Sequence, residues 1–175
     1  MLLTKIIAVI ILLLVCIEDM RYRAVHWFWF PLLTVILLIS KLADSSNSVY
    51  MNMLLPAAFN ISFILIQFLL VTIYFSIKNN RLINITNGLL GWGDICFIAS
   101  ISFYLSPINF VLFYIVSLII ILIGWLLYSF FNQNKQQRIP LAGLQAVLFV
   151  FILLTSCLKP SVKLTNDDLL LYLIN

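Results

Sequence analysis

The chain has 175 residues, of which 64% are hydrophobic and only 9% are charged, and its mean hydropathy is +1.16. A soluble domain is roughly half apolar and a quarter charged, so this composition excludes an ordinary soluble protein and predicts an integral membrane protein. The net charge of +4 comes from basic residues scattered singly and in pairs between apolar runs. Such scattering is typical of loop anchors in a membrane protein, and we therefore expect no nucleic-acid partner.

The apolar runs predict an all-α, polytopic membrane protein with about six transmembrane helices, organised as one domain over residues 1–175. A straight helix needs about 20 residues to cross the bilayer core, so the fourth run is short for a span. The six predicted spans are Leu2–Ile17, Trp27–Leu42, Met53–Ile77, Asp94–Ser106, Ile108–Phe131 and Pro140–Leu158.

The first apolar run invites a second reading, because Lys5 followed by Ile6–Ile17 resembles a secretory signal peptide. No A-x-A-like cleavage site follows the run. Val15 also stands where a lipoprotein signal before Cys16 would need a smaller residue. We therefore expect the run to be retained as the first span.

The three cysteines lie in apolar segments and form no C-x-x-C pair; they are Cys16, Cys96 and Cys157. This pattern argues against a disulfide framework and against a metal site, so we expect no metal and no other cofactor.

Basic residues predict the orientation, because cytoplasmic loops of membrane proteins are enriched in lysine and arginine. Six crossings divide the loops into two sets. One set carries a basic pair in every loop, namely Arg21 and Arg23, Lys78 and Arg81, and Lys135 and Arg138. The other set carries Lys5, Lys41, Lys159 and Lys163. We place the first set in the cytoplasm and both termini outside, which puts Asp19 and Asp94 at the same membrane face.

Ionisable groups at the edge of an apolar segment are costly, and they are therefore functional-site hypotheses. The chain has six acidic residues. The predicted topology places Asp44, Asp167 and Asp168 outside, where the last two read as a helix cap before an apolar tail. Glu18, Asp19 and Asp94 remain on the inner face.

Asp19 and Asp94 form the minimal set for hydrolysis of a peptide bond by two carboxylates, one ionised and one protonated. Asp94 follows Gly91-Trp92-Gly93, whose glycines allow unusual backbone angles and close approach. A position at a helix N-terminus favours the ionised form of Asp94, whereas the C-terminal end of the first helix disfavours charge on Asp19. We therefore expect Asp94 to be the resting base and Asp19 its protonated partner.

The string Gly91-Trp92-Gly93-Asp94 resembles the GxGD signature of intramembrane aspartyl proteases, and among them the type IV prepilin peptidase family. The segment Asp19-Met20-Arg21-Tyr22-Arg23 is similar to that family's first catalytic motif. The segment Arg138–Gly143 resembles the start of its last core span. The arrangement of apolar segments resembles the family over most of the chain, whereas sequence motifs resemble it only in these three places.

The resemblance implies an aspartic endopeptidase that cleaves the basic leader from a prepilin-like precursor, with Asp19 and Asp94 as the catalytic pair. It implies a multi-pass protein of the inner (plasma) membrane with its site facing the cytoplasm, and lipid and precursor as its partners. Two departures are Val25-His26-Trp27, where Ile-Pro-Asn is frequent, and Cys96, where a lysine is common. The N-terminal C-x-x-C domain of the large members is absent, so we expect no methyltransferase activity.

Four polar residues near the pair have simpler roles. We expect Arg21 and Arg23 to contact lipid phosphate or orient the site, with anchoring as the default. We expect Glu18 to pair with one of them, and His26 to lie at headgroup level.

Two other functions fit the same residues. A non-catalytic relative would act as a scaffold in a pilus or secretion assembly, and it would not need both aspartates. A small proton-coupled transporter subunit would place its carboxylates at mid-membrane depth and not at one face. The oligomeric state is left open by the sequence.

Overall fold

The computed structural model describes residues 2–44, 51–79, 91–131, 140–158 and 164–166. Within these ranges the chain forms six α-helices and no strand, which confirms the predicted all-α class. The helices are α1 (Leu2–Tyr22), α2 (Trp29–Asp44), α3 (Met51–Asn79), α4 (Trp92–Ser102), α5 (Pro107–Phe131) and α6 (Leu141–Leu158).

Four of the helices close a ring of contacts around the core. In this ring α1 packs on α2, α2 on α4, α4 on α6, and α6 on α1. Side chains from all four helices meet inside it, including Leu12, Leu33, Phe97 and Ala146, each at most 1% exposed. The ring matters for function because it brings the carboxyl end of α1 and the first turns of α4 and α6 to one end of the bundle.

Helices α3 and α5 flank this ring, α3 packing on α4 and α5, and α5 on α6. Their outward side chains are large and apolar, as at Leu65, Leu69, Ile119 and Leu126. Wide apolar surfaces of this kind are typical of contact with lipid.

By length and hydropathy α3, α5 and α6 could each cross a membrane. Helices α2 and α4 are apolar but shorter. The membrane class is therefore supported, whereas crossing by all six helices stays a prediction.

Two contacts fix α1 antiparallel to α6. Near one end of the pair, the buried Lys5 ammonium donates to the Ser156 hydroxyl at 3.2 Å. Near the other end, the Gly143 N–H donates to the Asp19 carboxylate at 2.6 Å. These contacts are separated by 14 residues on one helix and 13 on the other, about 20 Å at 1.5 Å per residue, so their spacing agrees along both helices.

The short helix α4 ends inside the bundle, where other helices supply partners for its last carbonyls. Asn60 of α3 is fully buried, and its side-chain amide donates to the carbonyls of Ser102 at 2.8 Å and Leu105 at 3.0 Å. Lys41 of α2 donates to the Phe103 carbonyl at 2.9 Å. Backbone that leaves a helix at membrane depth needs such internal partners, because lipid offers none.

The sequence interpretation of Lys41 as an anchor in a solvated outer loop is therefore wrong. Lys41 lies within α2, is 3% exposed, and reaches inward to the end of α4.

Several predicted boundaries differ from the observed ones by a few residues. The first helix continues past Ile17 to Tyr22, and α4 stops at Ser102 rather than Ser106. Pro56 lies within α3, near its start. Several residues that the sequence analysis assigned to loops or to a helix cap lie outside the described residues. They are Arg81, Lys135, Arg138, Lys159, Lys163, Asp167 and Asp168.

The Asn60 contacts generate a stability prediction. We expect Asn60→Leu to lower the free energy of unfolding by about 1–2 kcal/mol, because two buried carbonyls lose their donor and buried interhelical bonds in membranes are of this modest size. Reversible unfolding in mixed micelles measures the change.

The matched control is Asn79→Leu, since Asn79 is exposed and, among the described residues, donates within its own helix, to Phe75. We expect its effect to stay within about 0.5 kcal/mol. Equal effects of the two variants would contradict the proposed support of α4 by Asn60.

Candidate active site

Asp19 lies in the last turn of α1, two residues beyond the apolar stretch that ends at Ile17. Its side chain is 8% exposed. The main chain turns immediately afterwards: Arg23 adopts a left-handed φ of 53°, and its N–H donates to the Asp19 carbonyl at 2.9 Å. A non-glycine residue in this region is uncommon, and here it ends the helix and redirects the chain into the loop before α2.

Asp94 lies in the first turn of α4. Gly91 precedes the helix in an extended conformation, and its N–H donates back to the Asp94 carboxylate at 3.3 Å. This is one half of a capping box, in which an acidic side chain at the third helical position satisfies the N–H before the helix. The expected helix N-terminal position of Asp94 is therefore observed.

The first turn of α6 brings the two carboxylates together. The Ala142 N–H donates to Oδ1 of Asp94 at 2.7 Å, and the next N–H, that of Gly143, donates to Oδ2 of Asp19 at 2.6 Å. Neighbouring residues are about 3.8 Å apart along the chain, so the carboxylates share one small region.

The N–H groups of the first helical turn have no partner within their own helix, and the dipole there favours negative charge. The two aspartates supply both the partner and the charge at the start of α6. Two carboxylates that are close together repel each other when both are ionised, so we expect the pair to share one proton.

Gly143 is required for this approach. A methyl group there would lie 3.0 Å from the Asp19 Cβ, 3.1 Å from its Oδ2 and 3.3 Å from the Cys16 carbonyl oxygen. Two of these atoms belong to the main chain or are attached directly to it, so a side chain at 143 requires α1 and α6 to shift relative to each other by a few tenths of an ångström. Sequence reasoning noted this glycine only as part of a resemblance and did not assign Ala142 or Gly143 to the site.

The motif glycines have smaller roles than the sequence suggested. Gly91 has φ −74° and ψ 138°, angles that any residue adopts. A methyl group at Gly93 would meet only ordinary contacts, at 3.8 Å from Phe30 and 3.9 Å from Val25. Close approach is needed at Gly91 alone, where a methyl group would lie 3.1 Å from the Asp94 carboxylate.

Glu18 lies beside Asp19 but faces the loop before α2. Its carboxylate accepts hydrogen bonds from the His26 N–H, the His26 ring and the Trp29 indole, each at 3.1 Å. Burial tends to raise the pKa of Glu18, but these hydrogen bonds outweigh it and hold the pKa below its usual value. Glu18 is therefore ionised, and its contacts go to His26 and Trp29 rather than to the arginines we expected.

The remaining predicted residues lie around the pair. Arg21 and Arg23 are exposed, and the Arg21 guanidinium lies 5.4 Å from the centre of the Tyr22 ring. His26 is exposed, as expected for a surface position. The aromatic residues around the start of α2 differ in burial: Trp27 is 76% exposed, whereas Phe30 is buried in the core.

An apolar cavity of about 530 Å³ lies elsewhere, between α5 and α6. Its walls include Leu112, Val116, Leu148 and Ile152. It does not include the aspartates, so the candidate site is the junction of α1, α4 and α6.

Within the described ranges no group of three potential metal ligands occurs. Comparison of the chain with protein-family models, with curated proteins and with solved structures gives no match.

Proposed function

We propose that the protein is a membrane-embedded aspartic endopeptidase whose catalytic pair is Asp19 and Asp94. One observation carries the proposal: carboxylates from two different helices are fixed by successive N–H groups of a third helix. Convergence of this kind is what a shared proton and a shared water require. The resemblance to prepilin peptidases names the reaction class that uses it.

In the proposed first step, a water molecule lies between the carboxylates and the scissile carbonyl. Ionised Asp94 removes a proton from this water as its oxygen bonds to the carbonyl carbon. Protonated Asp19 gives its proton to the carbonyl oxygen, which forms a neutral gem-diol. After this step Asp94 is protonated and Asp19 ionised.

In the second step the C–N bond breaks. Asp94 gives its proton to the leaving nitrogen, and Asp19 takes one back from a gem-diol hydroxyl as the carboxylic acid forms. The products are a new carboxyl terminus and a new amino terminus, and the pair returns to its starting protonation.

The hydrogen bonds favour this division of roles. Asp94 accepts two N–H bonds, from Ala142 and Gly91, and lies at a helix N-terminus, whereas the described bond to the Asp19 side chain comes from Gly143. More N–H donors stabilise an ionised carboxylate better, whereas the burial of Asp94 disfavours its charged form. The resting proton on Asp19 stays a prediction.

A simpler role is that the aspartates only cap α6. One carboxylate would suffice for capping, and a second one adds repulsion in a poorly solvated place. Asparagine separates the two roles, because its amide oxygen accepts the Gly143 N–H bond at position 19 and one of the two N–H bonds at position 94, but its side chain neither takes nor supplies a proton at neutral pH.

The proposed substrate is a precursor with a short basic leader joined to an apolar helix, cut at the cytoplasmic face of the plasma membrane. The basic charge distribution of the sequence places the pair at that face. An apolar helix of the substrate would lie among the lipids that the outward surfaces of α3 and α5 contact.

We expect Asp19→Asn and Asp94→Asn each to lower cleavage of such a precursor by at least about a hundredfold, because general acid–base catalysis contributes this much. Co-expression with a tagged precursor and a mobility-shift assay measures cleavage. Thermal unfolding in detergent is the control, and we expect both variants to remain folded.

Retention of cleavage by both variants would contradict the assignment of the pair. An inactive wild-type protein would favour the scaffold role. For the transporter alternative, Asp19→Cys and Asp94→Cys in a background with the three native cysteines replaced by alanine can be labelled with a membrane-impermeant thiol reagent. Labelling from the cytoplasmic side supports the protease arrangement, whereas protection at both positions supports mid-membrane depth.

The glycines generate a second prediction. We expect Gly143→Ala to lower the rate of cleavage about tenfold or more and to destabilise the protein by about 1–3 kcal/mol, because the new methyl group overpacks the α1–α6 contact. Gly93→Ala is the matched control. It fits without a clash and improves helix propensity by about 1 kcal/mol, so we expect activity and stability to be retained.

Cleavage assays and unfolding measurements on both variants test whether Gly143→Ala has the larger effect. A greater loss of activity in Gly93→Ala than in Gly143→Ala would show that the motif glycine has a role beyond packing.

A further inference from the structure

The loop between α1 and α2 is attached to the end of α1 by Glu18. Its carboxylate accepts two hydrogen bonds from His26, in the loop, and one from Trp29, the first residue of α2. An ionised carboxylate has acceptor sites only, so it matches three converging N–H donors. Glu18 is adjacent in sequence to Asp19, and the attachment therefore begins at the catalytic pair.

The same loop packs against the start of α4. A methyl group placed on Gly93 would lie 3.9 Å from Val25, in the loop, and 3.8 Å from Phe30, in the first turn of α2. Gly93 immediately precedes Asp94. The contacts thus run from Glu18 through the loop to the turn that carries Asp94.

We propose that Glu18 is a positioning residue: by fastening the loop to α1, it fixes the first turn of α4, and with it Asp94, relative to Asp19. The activity part of this inference rests on the proposed function, whereas its structural part does not.

The main-chain strain of the loop explains why an attachment is needed. Arg23 has a left-handed φ of 53°, which for a non-glycine residue costs of the order of 1 kcal/mol and persists only where surrounding contacts hold it. The Glu18 contacts close the loop three residues later. Without them the chain between Arg23 and Trp29 has other conformations available, and Val25 no longer has a fixed position against Gly93.

Small displacements matter for a catalytic pair, because misplacement by about 1 Å can cost on the order of a hundredfold in rate. Loss of the Glu18 attachment should therefore lower kcat far more than it raises KM, since the substrate surface itself is intact.

The test is Glu18→Gln, which keeps the size of the side chain but replaces one acceptor oxygen with a donor facing other donors. NMR of the protein in micelles follows the indole N–H of Trp29 and the backbone N–H groups of Ala142 and Gly143. We expect the indole resonance to move, and the two backbone resonances to move with it, because they report the hydrogen bonds to the pair.

We expect kcat for a tagged precursor to fall about tenfold or more in the same variant, with KM changed less than about threefold. Tyr22→Phe is the matched control, since Tyr22 is exposed at the same helix end. Its backbone resonances at Ala142 and Gly143 and its kcat should equal those of the wild type.

Trp29→Phe is the second variant. It removes one of the three hydrogen bonds, so we expect smaller changes in the same direction. If Glu18→Gln does not fold, Trp29→Phe tests the positioning role of Glu18 in its place. Movement of the Ala142 and Gly143 resonances supports positioning even if the wild-type protein cleaves no precursor, an outcome that would count against the proposed function alone. Unchanged Ala142 and Gly143 resonances in a folded variant whose attachment is broken would overturn the inference.

Discussion

The unpartnered N–H groups at the start of α6 are the constraint on which the rest of the site depends. The N–H groups of a first helical turn have no acceptor within their own helix, so they need acceptors from elsewhere. Asp19 and Asp94 meet that need at Gly143 and Ala142. Each carboxylate must therefore end at the same helical turn, and α1 and α4 must approach α6 at the same end of the bundle.

This constraint recurs at the opposite end of α4. That helix is only 11 residues long, and its last carbonyls lie within the bundle. Asn60 donates to the carbonyls of Ser102 and Leu105, and Lys41 donates to the carbonyl of Phe103. Asn60, Lys41 and the two aspartates thus share one purpose, which is to satisfy main-chain groups where a helix begins or ends.

The sequence predicts the class of fold and the identity of the two aspartates, because hydropathy and loop charge depend on composition along the chain. It does not predict Lys41, since a lysine near the end of an apolar run looks the same whether it faces water or a buried carbonyl. The role of Ala142 is not predictable from the sequence for another reason: its contribution is a main-chain N–H, which every residue except proline carries. Glu18 was assigned to the nearest arginines in sequence, whereas its observed partners lie 8 and 11 residues away, across a turn set by the backbone of Arg23.

The contacts that fix the pair also limit its chemistry. Each N–H bond to a carboxylate stabilises the charged form and so weakens it as a base. A second carboxylate nearby acts in the opposite direction, because ionisation of both is unfavourable. At the start of α6 the two effects oppose each other, and the unequal number of N–H donors on Asp94 and Asp19 distinguishes two chemically identical groups. Because both effects depend on the separation of the carboxylates, we expect the packing at Gly143 and the attachment of the loop by Glu18 to influence proton sharing as well as shape.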